Sequence, residues 1–271
     1  MSQHSQLRRR HFLRGLVAAA GLLPLLTDQV RARGRPGAIP GHPGTHHSRP
    51  QRHHCLLIGT AILTDRGSVA VEQLRIGDRV VTGTGAFKPV RGIGRSAFAR
   101  EPEKRWDESV APMRVAQSAI SPGVPARDLY LSPEHALFLD GFLIPVKYLI
   151  NGLTITQDVT ARDVVEYFHI EFDAHEVFYA EGAAVESLRV IDAGQVAREF
   201  AQYQREGSGG GSMAPYAPVL GYNGGRQETV ALARLAVYPW VDVRDRLQIV
   251  ADRLAARAKL MQETGVTALA A

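Results

Sequence analysis

The chain carries one cysteine, Cys55, and of its ten histidines only His135, His169 and His175 lie beyond residue 54. A single cysteine excludes an intramolecular disulfide and leaves two readings, a small buried hydrophobe or a reactive thiol. The thiolate of cysteine is a strong nucleophile, and imidazole is the side chain that exchanges protons near neutral pH. Three segments hold these groups. The first runs from Cys55 through Gly59, Thr60, Ile62, Thr64 and Gly67 to Val71, Glu72, Leu74, Gly77, Asp78 and Val80. The second is Ser132-Pro133-Glu134-His135, which alone reads as a turn followed by a core histidine. The third spans Tyr167 to Gly182 and contains His169, His175 and an Ala180-Glu181-Gly182 step.

Together the three segments resemble the blocks of Hint domains, the self-cleaving fold of inteins and Hedgehog C-terminal regions. The first matches the opening block: a Cys, a Gly-Thr step, a strand, a turn at Gly, a Val-Glu-x-Leu entry and a Gly-Asp turn before the next strand. The second matches the family's Thr-x-x-His signature, with Ser132 where inteins usually have Thr; both offer a hydroxyl at the same reach. The third matches the late intein block. The resemblance implies that Cys55 is the nucleophile and that His135 contacts the amide nitrogen of the scissile bond. Ser132 would orient the peptide or the imidazole. His169 falls where many inteins place a catalytic Asp, and it stands open between catalytic support and a packed strand residue. His175 lies one residue before the usual block His. Glu72 and Asp78 read as structural, holding turns and backbone N–H groups.

The chemistry implied is an N-to-S acyl shift, in which the Cys55 sulfur attacks the carbonyl of His54 and cleaves the His54–Cys55 bond through a thioester. Inteins end in His-Asn before a Cys, Ser or Thr. Here Val185 is followed by Glu186 and Ser187, so no Asn stands there to cyclise and C-terminal splicing is not expected. This places the expectation with the Hedgehog branch and bacterial Hint proteins. The substrate would be the chain's own N-terminal segment, and the acceptor water or an unknown nucleophile; no sterol-recognition region stands out. No cofactor and no metal are expected. The rival reading is an exported Hint-fold module that no longer cleaves and serves as a binding or structural unit. A cysteine hydrolase acting on other substrates is a third, needing an open cleft.

The elements that must hold these groups are β-rich. Between residues 55 and 187, short apolar and β-branched runs recur between Gly and Pro punctuation: Thr60–Leu63, Arg79–Thr82, Lys88–Ile93, Met113–Ile120, Leu129–Leu131, Ala136–Leu139, Val164–Phe172 and Val177–Ala180. Asp65-Arg66-Gly67 and Asp140-Gly141 are turn signals, and Arg100–Asp107 reads as an exposed charged loop. The fold expected is all-β, a Hint-type pseudo-symmetric horseshoe of β-hairpins over residues 55–187. A helical C-terminal extension follows over 188–271. Helices are expected at 191–206 and 226–263, on either side of a Gly/Ser linker at 207–212. Leu247, Val250, Leu254, Ala258 and Met261 form one apolar stripe, as for a helix packed on the sheet domain.

Residues 1–32 read as an export signal. Arg8, Arg9 and Arg10 precede an apolar stretch from Gly15 to Leu26, and Val30-Arg31-Ala32 offers small residues for cleavage after Ala32. Arg8-Arg9-Arg10-His11-Phe12-Leu13 resembles a twin-arginine signal. Transient partners would then be the twin-arginine translocation machinery and signal peptidase, with the product exported to the periplasm or beyond; an uncleaved membrane anchor is the alternative. Residues 33–54 are rich in Gly, Pro, His and Arg and read as a disordered linker. Residues 1–54 hold nine Arg, no Lys and one acid, Asp28, for a net +8, whereas the whole chain is only +5. The remainder is therefore net −3, and a nucleic-acid partner loses its main support.

Overall fold

The computed structural model describes residues 54–159, 162–189, 202–205, 212–221 and 245–265, all within one contact unit, Ser48–Ala271. The expected export signal, residues 33–53 of the linker, residues 207–211 of the Gly/Ser linker and the stretches 191–201 and 226–244 lie outside the described residues.

Fifteen strands occur among the described residues: β1 (Leu56–Leu57), β2 (Ala61–Thr64), β3 (Gly67–Ala70), β4 (Arg79–Val81), β5 (Phe87–Pro89), β6 (Gly92–Ala99), β7 (Met113–Val115), β8 (Leu129–Leu131), β9 (Ala136–Leu139), β10 (Phe142–Pro145), β11 (Ile155–Gln157), β12 (Val164–Glu171), β13 (Val177–Ala180), β14 (Ala183–Glu186) and β15 (Gln202–Arg205). One α-helix, α1 (Arg246–Glu263), and two short 3₁₀ turns complete the described elements. The all-β expectation therefore holds. The strands form two antiparallel sheets. One has the order β11-β7-β8-β1-β12-β6-β15; the other is β10-β9-β14-β13-β2-β4-β5, with β3 paired to β2.

Turn chemistry explains the hairpins. Asp65-Arg66 joins Thr64 to Gly67 in direct register, and Asp140-Gly141 joins Leu139 to Phe142. Asp140 and Gly141 both have positive φ, 52° and 85°, as a two-residue turn that follows the strand twist requires. Glu72 and Asp78 do hold backbone N–H groups, those of Gly59 and Arg75.

Three expectations change. Lys88–Ile93 is not one strand, because the chain leaves one sheet after Pro89 and enters the other at Gly92. Val90 and Arg91 make the crossing, donating N–H bonds to Asp78 and Glu171 in turn. Met113–Ile120 ends at Val115, where Ser118 adopts a φ of 62° and Asp128 takes the Gln117 N–H. The third change falls in the expected helix 191–206: Gln202–Arg205 is a strand, paired antiparallel along β6 from Gly92 to Arg95. The free edge of β6 supplies ladder partners that outweigh local helical preference. The loop Arg100–Asp107 is exposed as expected except at Trp106, which is buried and donates its indole N–H to the Arg162 carbonyl.

The main core lies between the sheets, with Leu56, Phe168 and Ile170 from one and Ile62, Phe178 and Val185 from the other. Each such side chain removed from water contributes roughly 1.5–3 kcal/mol. Helix α1 adds Leu247, Val250 and Leu254 to the same core, and all five stripe residues are buried. Asp245 caps its N-terminus by accepting the Gln248 N–H, and Arg253 binds Asp140 across the hairpin turn.

Candidate active site

The two-residue strand β1 is the scaffold of the site. It lies between β8 and β12, with Leu56 opposite Leu131 on one side and Phe168 on the other. One step back along this register sets Cys55 beside Ser132 and His169. Side chains alternate across a sheet, so directly opposed residues share a face. Leu56, Leu131 and Phe168 enter the main core, while Cys55, Leu57 and Tyr167 join a second cluster with Trp106, Ala111, Val165 and Leu188.

Ser132 follows β8 directly. Its Oγ accepts the Cys55 N–H at 2.7 Å, and its own N–H donates to the Cys55 carbonyl at 2.9 Å. The amide nitrogen of the His54–Cys55 bond is thus held by a buried hydroxyl. The Ser132–His135 turn closes through the His135 N–H on the Ser132 carbonyl. It is anchored to the start of the next 3₁₀ turn by Lys147, which bonds Glu134 and the Pro133 carbonyl.

Three imidazoles gather here. His135 stacks on His169 with centroids 5.6 Å apart at 26°, and the His54 ring lies 6.4 Å from that of His169, tilted by 37°. His135 and His169 are fully buried. Burial lowers His135 to about 4, the positive side of His54 adds to this, and Glu186 opposes it. Burial pushes His169 well below the usual imidazole range, and His135 and His54 add to the effect. Both rings are therefore neutral at pH 7. The backbones of Cys55 and Glu186 lie beside the His135 ring and favour its charged form, although neither ring nitrogen makes a well-aligned hydrogen bond among the described residues.

Glu186, at the end of β14, ties the cluster together. Its Oε1 accepts the Ala136 N–H at 2.8 Å and lies 2.9 Å from His54 Nδ1. Its Oε2 faces His175 Nε2 at 3.5 Å. His175 Nδ1 accepts the Tyr216 N–H at 3.0 Å, which assigns the ring proton to Nε2, pointing at the carboxylate. Burial works to raise the Glu186 carboxyl, but His54, His175 and His135 outweigh it and hold the carboxyl well below its ordinary range. On the thiol side, burial pushes the Tyr167 hydroxyl far up, reinforced by Cys55, so the phenol keeps its proton and donates to the Val110 carbonyl at 2.8 Å.

The structure thus brings Cys55, Ser132, His135 and His169 to one place, with His54 beside them. Sequence reasoning missed Glu186 and the part played by the His54 and His175 side chains. The available signal was a carboxylate closing the otherwise apolar strand Ala183-Ala184-Val185-Glu186. Among the described residues no set of three or more metal-ligating side chains is arranged to hold an ion.

Comparison with known proteins places these observations. Several solved structures are similar in fold. The gp41-1 intein shares 16% identity, covering 48% of this chain and 96% of its own, with a TM-score of 0.33. A bacterial intein-like domain from Clostridium thermocellum shares 17%, covering 50% and 98%, with a TM-score of 0.35. A DnaB intein from Synechocystis sp. PCC 6803 shares 12%, covering 49% and 99%, with a TM-score of 0.33. No curated protein matches the chain. Residues 54–192 match the family model described as Hint domain. That span is a little over half of the 271 residues and includes His54, Cys55, Ser132, His135, His169, His175 and Glu186, so the chain belongs to the Hint domain family.

Proposed function

We propose that this Hint domain cleaves its own chain at His54–Cys55 by an N-to-S acyl shift and does not splice. The observation that carries the reading is the hold on the scissile amide: the Cys55 N–H bonds the buried Ser132 Oγ, beside two neutral stacked imidazoles. The Cys55 sulfur adds to the His54 carbonyl carbon, forming the C–S bond, and the thiol proton passes to His135. The carbon–nitrogen bond to Cys55 then breaks, and the same proton goes to the departing nitrogen, which becomes the Cys55 α-amine. An imidazole whose pKa is lowered to about 4 gives up a proton readily once it has one, which suits the second half of this transfer. Ser132 Oγ accepts from the nitrogen throughout, and that bond strengthens while the nitrogen of the tetrahedral adduct carries the transferred proton and is positively charged. Water then attacks the thioester; one of its protons goes to sulfur and the other to the Cys55 α-amine, leaving a carboxylate on His54 and an ammonium on Cys55.

The end of the domain supports cleavage without splicing. Glu186 and Ser187 stand where an Asn would be needed, and both are engaged: Glu186 by Ala136 and His54, Ser187 with Glu176 through Oγ and N–H. Cys55 is fully buried, which fits a thiol that reacts with its own chain and not with added peptides. The N-terminal segment as substrate, its export by the twin-arginine route and a periplasmic or secreted destination are part of the same proposal. A second reading, a Hint module that no longer cleaves, is favoured by the packing of Cys55 against Leu57, Trp106 and Tyr167. Intact-mass spectrometry of the full chain with dithiothreitol or hydroxylamine, beside Cys55→Ala, decides between them. A new product beginning at Cys55, absent from the variant, is expected. A chain that stays joined under both reagents overturns the acyl shift in favour of the second reading.

A further inference from the structure

We infer that Glu186 recognises the side chain of the residue preceding the scissile bond, so that the domain selects a hydrogen-bond donor, imidazole above all, at position 54. The inference rests on the acyl-shift reading and adds a specificity determinant to it.

The carboxylate is prepared without its substrate. Oε1 is held by the Ala136 N–H and Oε2 faces His175, whose own ring is set by the Tyr216 N–H. None of these contacts needs residue 54. Glu186 therefore presents a fixed oxygen, and His54 Nδ1 meets it at 2.9 Å. The two partners differ in exposure: the Glu186 side chain is 8% exposed and that of His54 is 31%. The carboxylate thus belongs to the interior of the domain, and the imidazole reaches it from the more open side, as a substrate side chain entering a subsite would.

The contact also completes the grip on the peptide. Ser132 holds the nitrogen of Cys55, and Glu186 holds the side chain of His54. The reacting carbonyl lies between these two anchors, so its angle to the thiol is limited from both sides. Fixing a near-attack geometry is worth orders of magnitude in rate when it is complete, and loss of one anchor forfeits part of that. An acidic residue at 54 would face a buried carboxylate of like charge, which is strongly unfavourable. An alanine would remove one of the hydrogen-bond donors to that carboxylate. An asparagine keeps a donor on a short side chain.

The test uses the full chain and measures hydroxylamine cleavage at the 54–55 bond by intact mass. Rates for His54→Asn, His54→Ala and His54→Glu are compared with the parent, each with and without Glu186→Gln. The expected order is parent, then Asn, then Ala slower by roughly tenfold or more, with Glu giving no measurable cleavage. Glu186→Gln should restore cleavage to the His54→Glu chain, because it removes the like charge, and should shrink the difference between His and Ala to within about twofold. A second readout does not depend on cleavage. In the Cys55→Ala background, the carbon-13 titration of the Glu186 carboxyl should move upward when His54 becomes Ala. A parent that cleaves, with all residues at 54 within twofold of it, overturns the selectivity while leaving the acyl shift intact. A Glu186 titration indifferent to His54 overturns the contact itself. A parent that does not cleave removes the acyl-shift reading, and this inference with it.

Discussion

Replacing Ser132 by Ala removes the hydroxyl that accepts from the nitrogen of the proposed scissile bond. The Cys55 N–H and Ser132 Oγ are 2.7 Å apart, and both residues are fully buried. Two effects follow, and they have different sizes. In the resting protein a buried amide loses its acceptor, which costs about 1–3 kcal/mol. For a domain of this size each kcal/mol lowers the melting temperature by about 2–4 °C. In the proposed acyl shift, the same bond changes from a neutral amide donor, worth about 0.5–1.5 kcal/mol, to the protonated nitrogen of the tetrahedral adduct, a charged donor worth about 1.5–3 kcal/mol. Only the difference, roughly 1–1.5 kcal/mol, enters the barrier. Ser132→Ala should therefore cleave about tenfold more slowly with dithiothreitol, measured by intact mass at a temperature where the variant is fully folded. Ser132→Thr keeps the hydroxyl and should retain a rate near the parent's. Cleavage at the parental rate by a folded Ser132→Ala chain would refute the view that this hydrogen bond tightens as the nitrogen departs.

Other perturbations read other parts of the structure. His135 has a folded-state value near 4 against about 6.5 unfolded, so the unfolded chain binds more protons between these limits. Stability should fall as pH drops from about 6.5 to about 4, by on the order of 3 kcal/mol, and His135→Gln should flatten that stretch of the curve in urea titrations run at stepped pH. Leu254 is fully buried where α1 joins the main core, and Leu254→Ala should cost about 2–5 kcal/mol by chemical denaturation. Glu171 is pushed up by burial and partly restrained by Arg205, whose Nε lies 2.9 Å from Oε1. Arg205→Met removes that restraint, so its melting temperature should fall below the parent's at neutral pH, and the gap should narrow as pH falls through the Glu171 titration; a gap independent of pH would exclude the ion pair as the cause.

The legibility of the site divides along one line. Cys55, Ser132 and His135 could be named from the chain because each sits in a short block that resembles a Hint block. His169 could be named but not assigned, because strand position alone does not say what faces a side chain. In the fold it stacks on His135 and lies near the tilted ring of His54. Glu186 was passed over as a mere absence of Asn. Its meaning depends on Ala136, 50 residues away, and His54, 132 residues away, meeting at one carboxylate. The same holds for Gln202–Arg205, whose pairing with β6 crosses about 110 residues.

What could be read from the sequence by itself is therefore the candidate set Cys55, Ser132 and His135, through its resemblance to Hint blocks, together with the β-rich class and the apolar stripe of α1. The β-rich class and the stripe rest on turn chemistry and periodicity, which act within a few residues. What only the tertiary structure decided is which of the buried polar groups meet. The register of β1 between β8 and β12 sets Cys55 against Ser132 and His169, and the close of β14 delivers Glu186 to His54. The physical reason is that burial makes a charge or an imidazole depend on its nearest partners, and those partners come from distant parts of the chain.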